Sequence, residues 1–133
     1  MTKQQKAFRW VVLLYLILGT FAIPHLIDDF LYGIPEQFGM SNQTVQVLAG
    51  LFTLIFMSLL IPLGAGRRNG LYGALAMGIF LALAGILKHI PLMILPGPYW
   101  SGPFSESLII GLILSGLACS LAALRALRVT GQR

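Results

Sequence analysis

Apolar residues run almost unbroken through four stretches of the chain: Phe8 to Tyr32, Gln43 to Ala65, Leu71 to Leu95 and Phe104 to Val129. Each is longer than the roughly 20 residues that an α-helix needs to cross a hydrocarbon core about 30 Å thick. The breaks between them are short and rich in turn-forming residues: "GIPEQFGM" with "SNQ", "PLGAGRRNG", and "PGPYWSGP". Ser41 or Asn42 supplies an N-cap for the second run. Gly102 or Ser101 does so for the fourth, with Pro103 in its first turn. Pro24 lies one turn from the end of the first run, where it can kink a helix, and Pro91, Pro96 and Pro98 interrupt the end of the third. The pattern predicts one domain over residues 1–133, an all-α integral membrane protein built as an antiparallel bundle of four transmembrane helices.

Composition agrees. Hydrophobic residues make up 57% of the chain and charged ones 10%, against about 25% charged in a soluble domain; mean hydropathy is +0.86. The net charge of +5 would suit a polyanionic partner, but its placement points elsewhere. Lys3, Lys6 and Arg9 precede the first run, Arg67 and Arg68 separate the second from the third, and Arg125, Arg128 and Arg133 follow the fourth. Eight of the nine bases therefore share one side. By the positive-inside rule that side is cytoplasmic, with both termini facing in. Basicity here reports topology, and no nucleic-acid partner is expected. Trp10 fits an inner aromatic belt, and Tyr99 and Trp100 an outer one. The N-terminal bases followed by "WVVLLYLILG" and "TFA" have the layout of a signal peptide, yet the apolar run continues past Ala22, so the segment is expected to remain as the first span. A single cysteine, Cys119, excludes an intramolecular disulfide and reads as a small buried thiol.

Small and polar residues recur at helical spacing within each run: Gly19, Ala22 and Asp29; Gln46, Gly50 and Thr53; Ala74, Gly78, Ala82, Gly85 and His89; Ser107, Gly111, Ser115 and Cys119. In membranes such stripes mark faces where helices approach closely. Asp29 and His89 should accordingly face the bundle interior.

The acids Asp28, Asp29, Glu36 and Glu106, the histidines His25 and His89, and the one remaining base, Lys88, all fall near the side opposite the other bases. At about 1.5 Å of rise per residue, His25 lies about 22 Å beyond Trp10, His89 about 27 Å beyond Leu71, and Glu106 about 28 Å from Arg125. Three runs thus bring titratable groups to a similar level, and Asp28 and Asp29, at i+3 and i+4 from His25, straddle its face. Because a charge in hydrocarbon costs a few kcal/mol, such residues usually face a cavity or a partner. Blander roles exist for each: headgroup solvation for Asp28, Asp29 and Glu36, single hydrogen bonds for the histidines, snorkelling for Lys88, and a helix-dipole contact for Glu106. The expected site is an outward-opening pocket of His25, Asp28, Asp29, His89 and Glu106, rimmed by Tyr99 and Trp100, with Glu36 and Lys88 as further ligand contacts.

The stretch "HLIDDFLYGIPEQFG" resembles the signature of the HXXEE proteins, small bacterial four-helix membrane proteins named for a histidine followed by two acids. Phe30, Gly33, Pro35 and Phe38 match the aromatic, glycine, proline and aromatic that follow, and "KHIPLMILPGPYWSGPFSE" is similar to the family's second patch. Asp28 and Asp29 stand where the family has glutamates, one methylene longer, and Gln37 and Phe38 replace its commoner acid-tryptophan ending. The resemblance implies a bacterial cytoplasmic membrane location and this site, but no settled activity. The layout is also similar, at fold level alone, to the EXPERA domain, whose sterol-handling members use membrane-embedded acids.

A histidine flanked by carboxylates in a low-dielectric pocket can hold or shuttle a proton. The leading expectation is therefore a protein that binds, and can do acid/base chemistry on, an amphiphilic isoprenoid- or sterol-like molecule. His25 is then the acid/base, Asp28 or Asp29 its orienter, and His89 the second proton carrier. No nucleophile motif, phosphate loop or metalloprotease spacing is present, and no cofactor or metal is assigned. The alternatives are a metal or haem site, a proton-coupled transporter completed by homodimerisation, and an accessory subunit of a larger membrane complex.

Overall fold

The computed structural model describes residues 1–33, 36, 39–97, 99 and 102–131. These form α1 (Lys3–Leu31), α2 (Asn42–Ser58), α3 (Leu60–Gly64), α4 (Arg68–Ala84), α5 (Ile90–Met93) and α6 (Pro103–Thr130), with a π-helical turn, Gly85–His89, between α4 and α5. Because α3 prolongs α2 and α5 prolongs α4, the described residues hold four long helical runs, Lys3–Leu31, Asn42–Gly64, Arg68–Met93 and Pro103–Thr130. Each is long and apolar enough to cross a membrane. The all-helical class and the four runs are as the hydropathy pattern predicts. Pro35, Gln37, Phe38, Pro98, Trp100, Ser101 and Arg133, all used in the sequence reading, lie outside the described residues.

Local chemistry accounts for the helix ends. α1 starts five residues earlier than the apolar run because Thr2 and Gln5 form a capping box: the Gln5 amide donates to Thr2 Oγ1 at 3.2 Å and the Thr2 amide to Gln5 Oε1 at 2.9 Å. Ser41 caps α2, its hydroxyl accepting from the Thr44 amide at 3.2 Å. Gly102, at φ 71°, takes the left-handed conformation that precedes Pro103 at the first position of α6. α1 continues through Pro24. Pro91, where α4 continues into α5, has a larger effect. Pro91 cannot donate to the Leu87 carbonyl and its ring crowds that group, and the preceding turn is widened to π geometry, its closing amide, Ile90, bonding to the Gly85 carbonyl.

α6 is the central helix, packing along both α1 and α4. It approaches α4 most closely at Gly78 and Gly116, where a Cβ on Gly78 would lie 2.7 Å from the Gly116 carbonyl oxygen. The small stripe of α4 is buried as expected, from Ala74 through Gly78, Ala82 and Gly85 to His89. That of α6 is buried in part as expected, with Ser115 and Cys119 inside and Cys119 against the Ala74 carbonyl of α4. Gly116 and Ser120 meet α4, while Gly111 faces Phe21 of α1 and Ser107 is exposed. α2 is the outlying helix. Only Val45 and Phe56 are buried on it. Phe56 stacks on Tyr15 with ring centroids 4.4 Å apart and accepts the Tyr15 hydroxyl on its carbonyl at 3.0 Å. Gly19 gives the Phe56 ring room. Beyond that anchor, Gln46 and Gly50 are exposed rather than packed, and a groove of about 770 Å³ separates α2 from Ile23, Leu26 and Phe30 of α1.

Candidate functional site

Three helical segments meet at the acid-bearing end of the bundle. α1 contributes His25, Asp28 and Asp29, the π-helical turn contributes His89, and α6 contributes Ser105. His25 and His89, from different runs, pack edge to face with ring centroids 4.7 Å apart and planes at 81°. Asp29, one turn after His25, places Oδ2 3.6 Å from His25 Nε2. Ligand-capable atoms of His25, Asp29 and His89 lie within 4.8 Å of one another, the one such group of three found among the described residues. The convergence of the two imidazoles and an acid, expected from depth alone, is present in the structure.

The π-helical turn sets which residue reaches this cluster. By adding a residue to the turn it leaves Lys88 exposed and buries the neighbouring His89, which is 3% exposed. His89 Nδ1 then bonds the Tyr99 hydroxyl, and the two rings meet at 80°. Tyr99 is itself buried, 5% exposed, and is thus a direct partner of the cluster where a rim residue was expected.

The two adjacent aspartates have different surroundings. Asp28 is buried and accepts the hydroxyl of Ser105, itself fully buried on α6. Asp29 faces His25. Of the two candidate orienters, Asp29 has its carboxylate within ion-pair distance of the His25 imidazole, and Asp28 ties α1 to α6 through Ser105. Ser105 is not among the residues the sequence singled out, since the cap of the fourth run was assigned to Gly102 or Ser101. The available signal was its register: Ser105, Leu108, Leu112 and Cys119 form one buried face of α6.

Within the cluster two buried atoms, His25 Nδ1 and Asp29 Oδ1, have no hydrogen-bond partner among the described residues. Buried polar atoms are paired in the great majority of cases, and an unpaired one costs roughly 1–3 kcal/mol. Both lie on adjacent turns of α1, beside the second histidine.

The remaining candidates fall outside this arrangement. Glu36 is exposed and its Oε1 accepts from the Asn42 side chain at 3.0 Å, bracing the approach to α2. Glu106 is half-buried in the first turn of α6, next to Ser105 but outside the His25, Asp29 and His89 group. Lys88 is exposed, though its charge acts on His25, Asp29 and His89. Trp100 lies outside the described residues. The α1–α2 groove is lined by Ile23, Leu26, Ile27 and Phe30, which point away from the helix face that carries His25 and Asp29, so it is separate from the cluster. The contact between the two imidazole rings leaves no room for a porphyrin between them.

No family model, curated protein or solved structure matches the chain.

Proposed function

We propose that this chain is a multi-pass membrane protein of the bacterial cytoplasmic membrane, similar to the HXXEE proteins, with both termini cytoplasmic. Its His/Asp cluster binds an amphiphilic small molecule near the outer membrane surface and moves a proton on it. Membrane residence is supported by the four apolar runs and by the outward-facing apolar side chains, among them Leu54, Ile61, Leu87 and Leu114, each more than 60% exposed. Orientation is supported by the eight bases of the opposite side.

One observation carries the functional part: imidazoles from two separate runs and a carboxylate converge in a buried cluster in which His25 Nδ1 and Asp29 Oδ1 lack partners among the described residues. In a low-dielectric setting such atoms are costly to keep, and polar groups retained at membrane depth are functional by default. His25 is the proton-transferring group. Asp29 orients it and stabilises its charged form. His89, fixed by Tyr99, is the second carrier, so a proton taken by one ring can be returned by the other. The ligand class, isoprenoid- or sterol-like with one polar end, is supported by a polar cluster set within apolar helices.

The test is a binding screen of purified protein in detergent against isoprenoid alcohols, sterols and their phosphorylated forms, read by native mass spectrometry and by thermal shift. A bound amphiphile whose affinity falls at least tenfold in both His25→Ala and His89→Ala is the expected result. Unchanged binding in both variants would remove the proposal.

A further inference from the structure

The cluster's donor set, and not only its ability to hold a proton, points to a second occupant. We infer that His25, Asp29 and His89 bind one divalent transition-metal ion of the zinc or ferrous type, with Tyr99 fixing His89 as a ligand. The site rests on the ligand-binding part of the function proposed above; with an ion bound, His25 and His89 would hold the metal in place of carrying the proton.

Four features support it. First, ligand type and count: two imidazoles and one carboxylate are the donors of catalytic zinc and non-haem iron sites, which keep a coordination position open for water or substrate. Magnesium and calcium prefer all-oxygen shells and fit poorly. Second, spacing: ligands at about 2.0–2.1 Å around a tetrahedral ion stand about 3.3 Å apart. His25 Nε2 and Asp29 Oδ2 are at 3.6 Å, and the whole set lies within 4.8 Å, so side-chain rotation closes it on an ion without moving a helix. Third, outer contacts: metal-bound histidines almost always use their second nitrogen on a hydrogen-bond partner, which fixes the tautomer. His89 has this partner in Tyr99 through Nδ1, leaving Nε2 to ligate. Fourth, Asp29 Oδ1 is buried and has no hydrogen-bond partner among the described residues, so the carboxylate has no bond of that oxygen to surrender on binding.

Charge balance is consistent with these features. Asp29 in the shell and Asp28 beside it, held by Ser105, supply two carboxylates near a doubly charged ion. That matters most where the dielectric is low. From sequence a metal site is one alternative among several, because the spacing between His25 and Asp29 is common on helices; the small-residue stripe turns His89 inward, and the structure brings it to the other two.

The full chain, purified in detergent and stripped with chelator, is titrated with Zn²⁺ by calorimetry and with Co²⁺ by visible absorption. The expected result is one equivalent per chain, d–d bands of a four- or five-coordinate cobalt site, and affinity lowered at least a hundredfold in His25→Gln, Asp29→Asn and His89→Gln. Tyr99→Phe should lower it about tenfold, as loss of an outer partner does. Cys119→Ala should bind as the parent does. Thermal unfolding of each metal-free variant verifies that it is folded. If the chosen glutamine variants do not fold, Asp29→Asn and Tyr99→Phe carry the test. Absence of stoichiometric uptake by the folded parent overturns the site, as does uptake that persists in folded Asp29→Asn. If amphiphiles bind metal-free protein that takes up no zinc, the metal site fails and the preceding function stands. Zinc uptake without any amphiphile binding supports the metal and removes the preceding function.

Discussion

The Gly78–Gly116 crossing and the His25–His89 cluster join α1, the Arg68–Met93 run and α6 at two levels of one bundle, yet they treat buried polar groups in opposite ways. Near the crossing every polar side chain described has an outlet. The Tyr15 hydroxyl donates to the Phe56 carbonyl, Ser115 to the Gly111 carbonyl at 2.6 Å, and Ser120 to the Gly116 carbonyl at 2.8 Å. In the cluster His25 Nδ1 and Asp29 Oδ1 have none among the described residues. The first region combines close packing with satisfied hydrogen bonds, and the second, which the proposed function makes the site, keeps two buried polar atoms without a partner among the described residues. This difference, more than burial or charge, separates the scaffold from the site, and it can be tested by asking what each region loses or gains when its polar atoms are removed.

The largest effect is expected at the crossing. A Cβ on Gly78 already falls 2.5 Å from Ser120 Oγ and 2.7 Å from the Gly116 carbonyl oxygen. Backbone cannot yield there as a flexible side chain would. Gly78→Leu should force α4 from α6 and cost about 3 kcal/mol or more, seen as loss of the cooperative unfolding transition in detergent. A variant that unfolds like the parent would show that the two helices do not meet at these glycines. Because the cluster depends on α4 delivering the π-helical turn, this variant should also lose ligand and metal binding.

The second effect has the opposite sign. Removing one member of a polar pair leaves the other stranded, whereas replacing both with apolar groups of similar size is often stabilising. The double variant His25→Phe with Asp29→Leu should therefore be more stable than the parent by about 2 kcal/mol, measured by thermal or denaturant unfolding, and inactive in every binding assay. A double variant less stable than the parent would mean that the pair contributes to the fold, and the contrast between the two regions would collapse.

How much of this could be read beforehand differs between scaffold and site for the same physical reason. Four helical runs follow from hydropathy because burial in hydrocarbon demands continuous apolar length. The charge asymmetry gives an expected orientation. The depth of His25, Asp29 and His89 is readable too, since rise per residue is constant. Rotation about each helix axis is not. The stripe on α6 was expected along Ser107, Gly111, Ser115 and Cys119, but Gly116 and Ser120 make the close approach to α4, because two neighbouring helices share the small residues of one helix between them. Ser105 and Tyr99 escaped as partners since their roles depend on which face α6 and the approach to it present. Gln46 and Gly50 looked like contact residues and are exposed, as α2 is anchored through Phe56 at one level and diverges at the other.

The smallest effect tests that anchor. Tyr15 is fully buried, stacked on Phe56 and bonded to its backbone. Tyr15→Phe keeps the ring stack and removes one hydrogen bond, worth about 1 kcal/mol here and commonly less within membranes. The expected outcome is a modest fall in unfolding temperature with metal and ligand binding unchanged, because the hydroxyl serves α2 and the cluster is assembled by α1, the π-helical turn and α6 without it. If Tyr15→Phe instead weakened binding while leaving stability intact, the packed level and the reactive level would be coupled through α1. The division of labour between them would then have to be redrawn as one continuous network.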